Sequence, residues 1–250
     1  MNITLVRNAT LILETPAGRL LVDPMLDPAG ARPPIEGTAN PVRNPTVELP
    51  FPAEQVVAAL DAVLVTHRHE DHLDDTAVRL LPRDLPVFCQ PEDEERLGSL
   101  GLDARPVSET LDWDGVELTR TSGQHGTGRI GEEMAPVSGF VLRAPGEPVL
   151  YVAGDTIWCD EVEDALAEHG PDVVVVNAGA ARFLEGDPII MDAAGVVETA
   201  RAAPRATVVA VHLEALNHSV QSRAELRAAV DEAGVGERVV IPGDGETLRA

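Results

Sequence analysis

The chain has 250 residues, a length that fits one large domain or two small ones. Apolar residues make up 44% of it, which excludes wholesale disorder, and only 3% are aromatic, so the core must consist mainly of Val, Leu, Ile and Ala. The formal charge of −23, with 42 acidic residues and no lysine, argues against a nucleic-acid partner, because such binding needs cations that neutralise phosphates.

The compartment can also be predicted from bulk features. No apolar run is long enough to cross a bilayer, and the first residues lack the basic stretch and apolar block of a secretory signal. Cys89 and Cys159 are too few for a disulfide framework. We therefore predict a cytoplasmic protein with no membrane partner. The oligomeric state stays open, and a homo-oligomer is compatible with the sequence.

Three strand-like runs joined by short turns, over residues 3–6, 10–14 and 19–22, open the chain and indicate antiparallel pairing. Residues 24–52 follow; they contain eight prolines and are expected to lack regular structure. We refer to them as the proline-rich segment.

Helices and strands alternate in the rest of the chain. Helices are predicted over residues 53–60, 76–81, 93–97, 161–168, 193–202 and 223–231. Strands are predicted over residues 62–66, 87–89, 116–120, 137–142, 149–152, 173–176, 207–211 and 238–241. Strand pairs early and strand–helix units later favour sheets covered by helices in one α/β domain over residues 1–250.

The strongest chemical signal is the run Thr66-His67-Arg68-His69-Glu70-Asp71-His72, directly after an apolar strand. Imidazole and carboxylate are the usual protein ligands of Zn²⁺, Mn²⁺ and iron. So many polar groups close together make poor core material, because each would need a buried partner. The run therefore favours a metal site, with a histidine-rich surface loop as the alternative.

Other polar residues also stand at the ends of predicted strands. His125 follows the strand over 116–120, Asp155 follows the strand over 149–152 and His212 follows the strand over 207–211. Any one of them alone is more often a loop residue than a ligand. Four polar clusters at four strand ends of one chain favour convergence on a common metal site.

The run His67-x-His69-x-Asp71-His72, followed in order by His125, Asp155 and His212, resembles the motifs of the metallo-β-lactamase-fold hydrolase superfamily. The resemblance covers essentially the whole chain, and it is strongest to the group that includes L-ascorbate-6-phosphate lactonase. It implies a four-layer αββα sandwich of two mixed sheets flanked by helices, with the site at one edge of the sheets. True β-lactamases differ at several of these positions. The name of the superfamily therefore does not identify the reaction that this chain catalyses.

The resemblance also implies a ligand set for two divalent ions. One ion would be held by His67, His69 and His125, the second by Asp71, His72 and His212, with Asp155 as a bridge. Zn²⁺ suits these ligands, and Mn²⁺ or Fe²⁺ are alternatives.

Such a pair of ions would hold a bridging hydroxide and polarise the bond under attack. We therefore predict a metal-dependent hydrolase of a small ester, lactone or amide, including one that carries an anionic group. Asp71 is the candidate catalytic residue. It either positions the hydroxide and passes on a proton, or serves as a ligand alone.

Four residues are candidates for substrate binding: Asn177, Asn217, His218 and Arg43. The alternative for the first three is a polar loop whose side chains bond to the backbone. The proline-rich segment could fold over the site and bring Arg32 and Arg43 to an anionic substrate, or be an unrelated surface loop. Asp23 is either a supporting acid or a turn opener.

Three other functions compete with this prediction. The first is a small-molecule phosphodiesterase; RNA is disfavoured by the charge and by the lack of a stacking platform. The second is an iron-dependent redox enzyme on the same fold, although no flavin-binding segment is apparent. The third is a metal-stabilised binding protein, against which the complete ligand set argues.

Overall fold

Two seven-stranded mixed sheets form the centre of the computed structural model, which describes residues 1–249. The strands of the first sheet are β1 (Asn2–Arg7), β2 (Thr10–Thr15), β3 (Gly18–Val22), β4 (Ala62–Val65), β5 (Pro86–Cys89), β6 (Asp103–Pro106) and β14 (Thr247–Arg249). Those of the second are β7 (Thr110–Trp113), β8 (Val116–Thr121), β9 (Gly139–Arg143), β10 (Leu150–Val152), β11 (Val173–Asn177), β12 (Thr207–Val211) and β13 (Val239–Val240). The strand orders are β14-β1-β2-β3-β4-β5-β6 and β13-β12-β11-β10-β9-β8-β7.

The described residues contain seven α-helices. They are α1 (Ala53–Val56), α2 (Asp75–Leu80), α3 (Glu94–Ser99), α4 (Gly128–Met134), α5 (Asp160–His169), α6 (Ala193–Ala202) and α7 (Arg223–Glu232). Buried residues of α1 to α3 pack on the first sheet, and those of α5 to α7 pack on the second. The layer order is therefore αββα, as the resemblance to the metallo-β-lactamase-fold superfamily implied.

The strands near the middle of each sheet are buried on both faces, which explains why they read as continuous apolar runs. In β4, Ala62 and Leu64 face the core between the sheets, whereas Val63 and Val65 face the helices. In β11, Val175 belongs to the same central core and Val174 to the helix side. Side chains alternate along a strand, so one apolar strand supplies two cores.

Strand direction decides where the polar residues meet. β1, β3 and β4 run the same way, as do β8, β10, β11 and β12. The residues that follow these strands therefore emerge at one edge of the sandwich. The two sheets are joined there, because the backbone N–H of His212 donates to the carbonyl of Asn8 at 2.9 Å.

Most predicted elements have the observed bounds within two residues, but some predictions were wrong. The helix expected over 53–60 ends at Val56. It cannot extend to residue 60, because Ala59 has a left-handed φ of 54°, which is incompatible with a right-handed helix.

Four elements were missed: β6, β7, β14 and α4. β6 contains Asp103 and Pro106, residue types that are rare in strands, and β14 is only three residues long. Both strands form through pairing with β5 and β1, so their own residues do not predict them. Within the described residues, no helix combines the length and apolarity needed to cross a membrane.

The proline-rich segment, all of which the structure describes, contains no helix or strand. It is nevertheless tied down along its length. The guanidinium of Arg7, fully buried on β1, donates to the carbonyls of Val47, Met25 and Asp27 at 2.8–2.9 Å. Arg32 and Asn44 pair their backbones within the segment, and a small apolar cluster joins Met25 to Leu216.

Candidate metal centre and its cavity

Side chains from the strand ends of both sheets form two groups with the donor atoms of a metal site. One group contains His67, His69 and His125, and the other contains Asp71, His72, Asp155 and His212. Within each group the potential ligand atoms lie within 4.8 Å of one another. The structure thus brings together all seven residues that the sequence singled out as metal ligands.

Asp155 lies between the two groups. Its Oδ2 is 3.2 Å from Nε2 of His72, 3.4 Å from Nε2 of His125 and 3.9 Å from Nε2 of His67. Its Oδ1 is 3.8 Å from Nε2 of His212. A carboxylate in this place can reach cations on either side, which is the arrangement that a bridging ligand needs.

The backbone around these residues has conformations that ordinary side chains avoid. Gly154 has a φ of 71°, and a Cβ there would lie 2.5 Å from the carbonyl oxygen of Ser138. Only glycine therefore fits before Asp155. His212 itself has a left-handed φ of 59°, a strained conformation for a residue with a side chain. It turns the chain at the end of β12, and its Nε2 lies 3.2 Å from Oδ2 of Asp71.

Several of the candidate ligands are oriented by a second polar group. Asp23 accepts hydrogen bonds from the backbone and hydroxyl of Thr66 and lies 2.8 Å from Nδ1 of His72. Nδ1 of His125 lies 2.8 Å from the carbonyl of Ile189. Because Nδ1 of each ring bonds outwards, Nε2 is left to face the other ligands.

The pKa values of Asp155, His67 and His69 favour metal binding, whereas the carboxylates of Asp155 and Asp71 raise the pKa of His72 and His212 against the effect of burial. Burial by itself would raise the pKa of the Asp155 carboxyl, but the imidazoles of His72, His212 and His125 hold that pKa well below its usual range. Burial lowers the pKa of His67 and of His69, so both rings are neutral at pH 7. Ionised carboxylates and neutral imidazoles are the forms that bind divalent ions.

A nitrogen without a hydrogen-bond partner tests whether a metal ion fits this cluster. Nε2 of His72 is buried and has no hydrogen-bond partner among residues 1–249, although a polar atom in such a place normally has one. It faces the carboxylates of Asp71 and Asp155. A cation shared by these three side chains would satisfy it, so the residues present fit a metal ion.

A cavity of about 310 Å³ opens onto this cluster. His69, Asp71, His125 and Asp155 form its polar floor. Its walls are largely apolar and come from four separate segments: Pro33, Pro34 and Ile35 of the proline-rich segment, Met134 of α4, Phe183 and Ile189 of the loop after β11, and Leu216 of the loop after β12. The proline-rich segment thus does fold over the mouth of the site.

The predicted substrate-binding residues lie in different surroundings. His218 is buried and lines the cavity. Asn177 donates to Oδ1 of Asp155 at 2.6 Å. The Asn217 side chain bonds to Ile35, Asn44 and other parts of the proline-rich segment. The exposed Arg43 donates to the carbonyls of Gly30 and Ala31.

Among the described residues, only His218 of these four lines the cavity. Direct substrate contact by the other three stays a prediction, and the side chain of each already bonds another residue. The cation that does reach the cavity is Arg32, whose Nε lies 3.2 Å from Asp27 and whose Nη1 lies 3.4 Å from Glu70. Burial lowers the pKa of His218 to about 4, so its ring is neutral near pH 7.

Comparison with known proteins places this site in a family. The model of the beta-lactamase superfamily domain matches residues 18–213, a span that includes all seven candidate ligands. The chain belongs to the beta-lactamase superfamily. Since its related proteins are metal-dependent hydrolases, this superfamily member is a metal-dependent hydrolase as well.

Three relatives of this superfamily hydrolase match over nearly the full length of both chains. The UPF0173 protein YddR of Bacillus subtilis is 38% identical over 251 residues, which is 99% of each chain. The structure of a possible metal-dependent hydrolase from Veillonella parvula is 36% identical, with a TM-score of 0.95 over 99% of this chain and 98% of that one. An isothiocyanate hydrolase from Delia radicum gut bacteria is 36% identical, with a TM-score of 0.95 over 100% and 99%.

The finer predictions are not decided by these relatives. The L-ascorbate-6-phosphate lactonase group, the substrate class, the number of ions and the identity of the metal all stay predictions.

Cys89 and Cys159 are free thiols in the structure, and burial raises the pKa of Cys89 to about 12. Neither shows the low-pKa surroundings of a nucleophile.

Proposed function

We propose that this chain hydrolyses small, uncharged, largely apolar molecules that carry an electrophilic carbon, and that organic isothiocyanates are the class to test first. The observation that carries the proposal is the cavity of about 310 Å³ with a His/Asp floor and apolar walls. A site of this kind binds apolar groups at its walls and places the reacting atom at its floor.

The charges around the cavity favour an uncharged substrate over an anionic one. Arg32 is the cation that lines the cavity, and it already lies beside the two carboxylates of Asp27 and Glu70. Those three side chains sum to a charge of −1 when all are ionised, and the whole chain carries −23. Apart from the proposed metal ions, the described residues that line the cavity therefore offer an anionic substrate no unpaired cation.

An isothiocyanate, R–N=C=S, has the features that the cavity selects: no charge, an apolar R group and an electrophilic central carbon. The relative from Delia radicum gut bacteria is an isothiocyanate hydrolase with 36% identity over the full chain. Small esters, lactones and amides are the second class. They also present an uncharged electrophilic carbon, and the polar floor suits their carbonyl equally well.

We infer that His67, His69 and His125 hold one divalent ion, and that Asp71, His72 and His212 hold a second, with Asp155 between them. Zn²⁺ fits this set of nitrogen and oxygen ligands, and Mn²⁺ or Fe²⁺ are the alternatives. Such ions supply a water of lowered pKa and polarise the electrophile. Asn177 and Asp23 would keep Asp155 and His72 in position.

The reaction on an isothiocyanate balances with one water. The water oxygen bonds to the central carbon, and its protons end on the nitrogen as the carbon–nitrogen bond breaks, so that R–N=C=S and H₂O give R–NH₂ and O=C=S. Asp71 lies on the cavity floor with Oδ2 beside His212, which leaves Oδ1 to accept a hydrogen bond from the attacking water. The apolar walls hold R and keep bulk water away.

The test is a substrate panel on the metal-replete protein. We expect the highest kcat/KM on benzyl isothiocyanate, measured as release of benzylamine, with lower values on γ-lactones, p-nitrophenyl acetate and bis(p-nitrophenyl) phosphate. H67A should lose both activity and bound metal, because it removes one of three ligands of an ion. H169A is the matched control, since His169 ends helix α5 away from the cluster and should keep both.

Three results would count against the proposal. Full activity of H67A without metal would refute the metal-dependent mechanism. A higher kcat/KM on an ester or lactone would move the assignment to the second class. A protein that purifies with iron and is inert on the whole panel would favour the redox alternative.

A further inference from the structure

The side chain of His218 has an unpaired nitrogen that the proposed metal binding does not explain. The His218 side chain is 7% exposed and lines the cavity, yet its Nδ1 is buried and has no hydrogen-bond partner in the part of the chain that the structure describes. Buried polar atoms are nearly always paired, so an exception of this kind needs an explanation. His218 is not one of the seven candidate metal ligands.

The unpaired nitrogen fixes the form of the ring. In a protonated imidazole both nitrogens are donors, and a buried N–H without an acceptor is rarer and costlier than a bare acceptor. Nδ1 is therefore the bare nitrogen, the ring is neutral, and its single hydrogen is on Nε2. Because protein atoms enclose Nδ1, Nε2–H is the end that the ring can present to the cavity.

The backbone that carries His218 is held on both sides. The carbonyl of His218 accepts from the backbone N–H of Arg182 at 3.1 Å. The neighbouring Asn217 donates its backbone N–H to Oδ1 of Asn44 at 2.8 Å and bonds the proline-rich segment through its side chain. A donor fixed in this way needs little reorganisation when a charge forms beside it, which is the property that makes such donors effective in catalysis.

We propose that His218 is a catalytic residue that donates a hydrogen bond from Nε2–H to the substrate atom on which negative charge develops. This inference rests on the proposed function. For an isothiocyanate that atom is the sulfur or nitrogen flanking the attacked carbon, and for an ester or lactone it is the carbonyl oxygen. The neutral ring acts as a hydrogen-bond donor and does not transfer its proton.

Two variants separate this role from a structural one. H218L removes the donor but keeps an apolar side chain of similar size, and H218Q keeps a donor at nearly the position of Nε2. We expect H218L to lower kcat by about 10²-fold with KM little changed, because the lost interaction is strongest in the transition state. H218Q should recover most of that loss. Metal content and Tm of both variants should match the parent protein, because Nδ1 has no partner to lose.

Two measurements do not depend on turnover. Nitrogen-15 shifts of the His218 ring in the metal-loaded protein should report the Nε2–H tautomer. Thiocyanate, which places negative charge on the sulfur and nitrogen that flank its carbon, should bind H218L about 10- to 100-fold more weakly than the parent or H218Q, as expected for a lost hydrogen bond to a charged group.

An Nδ1–H tautomer would overturn the proposal whatever substrates the enzyme accepts. So would an H218L variant whose turnover and thiocyanate affinity match those of the parent. Loss of metal or of Tm in H218L would assign the residue to structure instead. If benzyl isothiocyanate is not hydrolysed but the tautomer and the thiocyanate affinities are as expected, the substrate class is wrong and the role of His218 stands.

Discussion

Asp23 shows how much the candidate ligands depend on residues behind them. Its carboxylate bonds Thr66 through both the backbone and the hydroxyl and lies against Nδ1 of His72. It thereby fixes the start of the histidine-rich run and the rotation of one ring. Asp23 adopts a left-handed φ of 45°, which Asn and Asp tolerate better than most residues with a side chain.

D23N tests this support without changing the shape of the backbone. Asn tolerates the same φ but lacks the negative charge and has one acceptor oxygen instead of two. We expect metal affinity to fall by about 10- to 100-fold, the usual effect of removing an outer partner of a ligand. Competition with a chromogenic chelator would measure it.

D114N is the control for this experiment, because Asp114 is exposed in the β7–β8 turn with a similar φ of 49°. Equal metal affinities for D23N and D114N would mean that the Asp23 charge does not support the site.

The proline-rich segment shows that a segment without helix or strand can still be well held. Three of its carbonyls receive hydrogen bonds from the buried guanidinium of Arg7. Burial lowers the pKa of Arg7 to about 10, so the group is still charged at neutral pH. Asn217 bonds Ile35 and Asn44, two residues of the segment that line the cavity. The segment is therefore built as a wall of the site.

R7Q should loosen this wall. The shorter, neutral side chain cannot reach all three carbonyls, and buried acceptors that lose a charged donor are costly. We expect the free energy of unfolding to fall by about 3 kcal/mol in urea denaturation. Amide hydrogen exchange within residues 24–52 should also become faster than in the parent.

R43Q is the matched control, since Arg43 also bonds carbonyls of this segment but is exposed. It should change the unfolding free energy by less than about 0.5 kcal/mol. Equal effects of the two variants would show that burial of Arg7 is not what holds the segment.

At the scale of the whole molecule, the candidate site joins the two sheets. The first sheet supplies His67, His69, Asp71 and His72 through the loop after β4, and the second supplies the remaining three ligands through β8, β10 and β12. Ions held by residues of both sheets would link the two halves of the sandwich. Folding and metal binding should therefore be coupled.

Removal of metal by a chelator should lower Tm, because ions that bind only the folded state stabilise it. At a free metal concentration of 1,000 times Kd the stabilisation is about 4 kcal/mol. Differential scanning calorimetry before and after dialysis against chelator measures this effect, with metal content verified by elemental analysis. H67A should respond less. Coincident melting curves after verified removal would show that the site is not coupled to folding.

The sequence by itself determined the chemical character of the site and most of the framework that carries it. Apolar strands such as 207–211 end directly at His212, and the histidine-rich run follows another apolar strand, so the pattern marks both the element and the residue at its end. Local pattern is sufficient here because parallel strands bring their carboxyl ends to one edge whatever the rest of the chain does.

The tertiary structure alone decided which residues support the site and which face the substrate. Arg7 in β1 gives no local sign that it holds residues 40 positions away, and nothing in sequence ranks Arg32 above Arg43 or His218 above Asn217. The cavity walls likewise combine residues from α4, two loops and the proline-rich segment. These contacts join positions far apart in the chain, and they depend on packing and burial, which no periodicity in the sequence records.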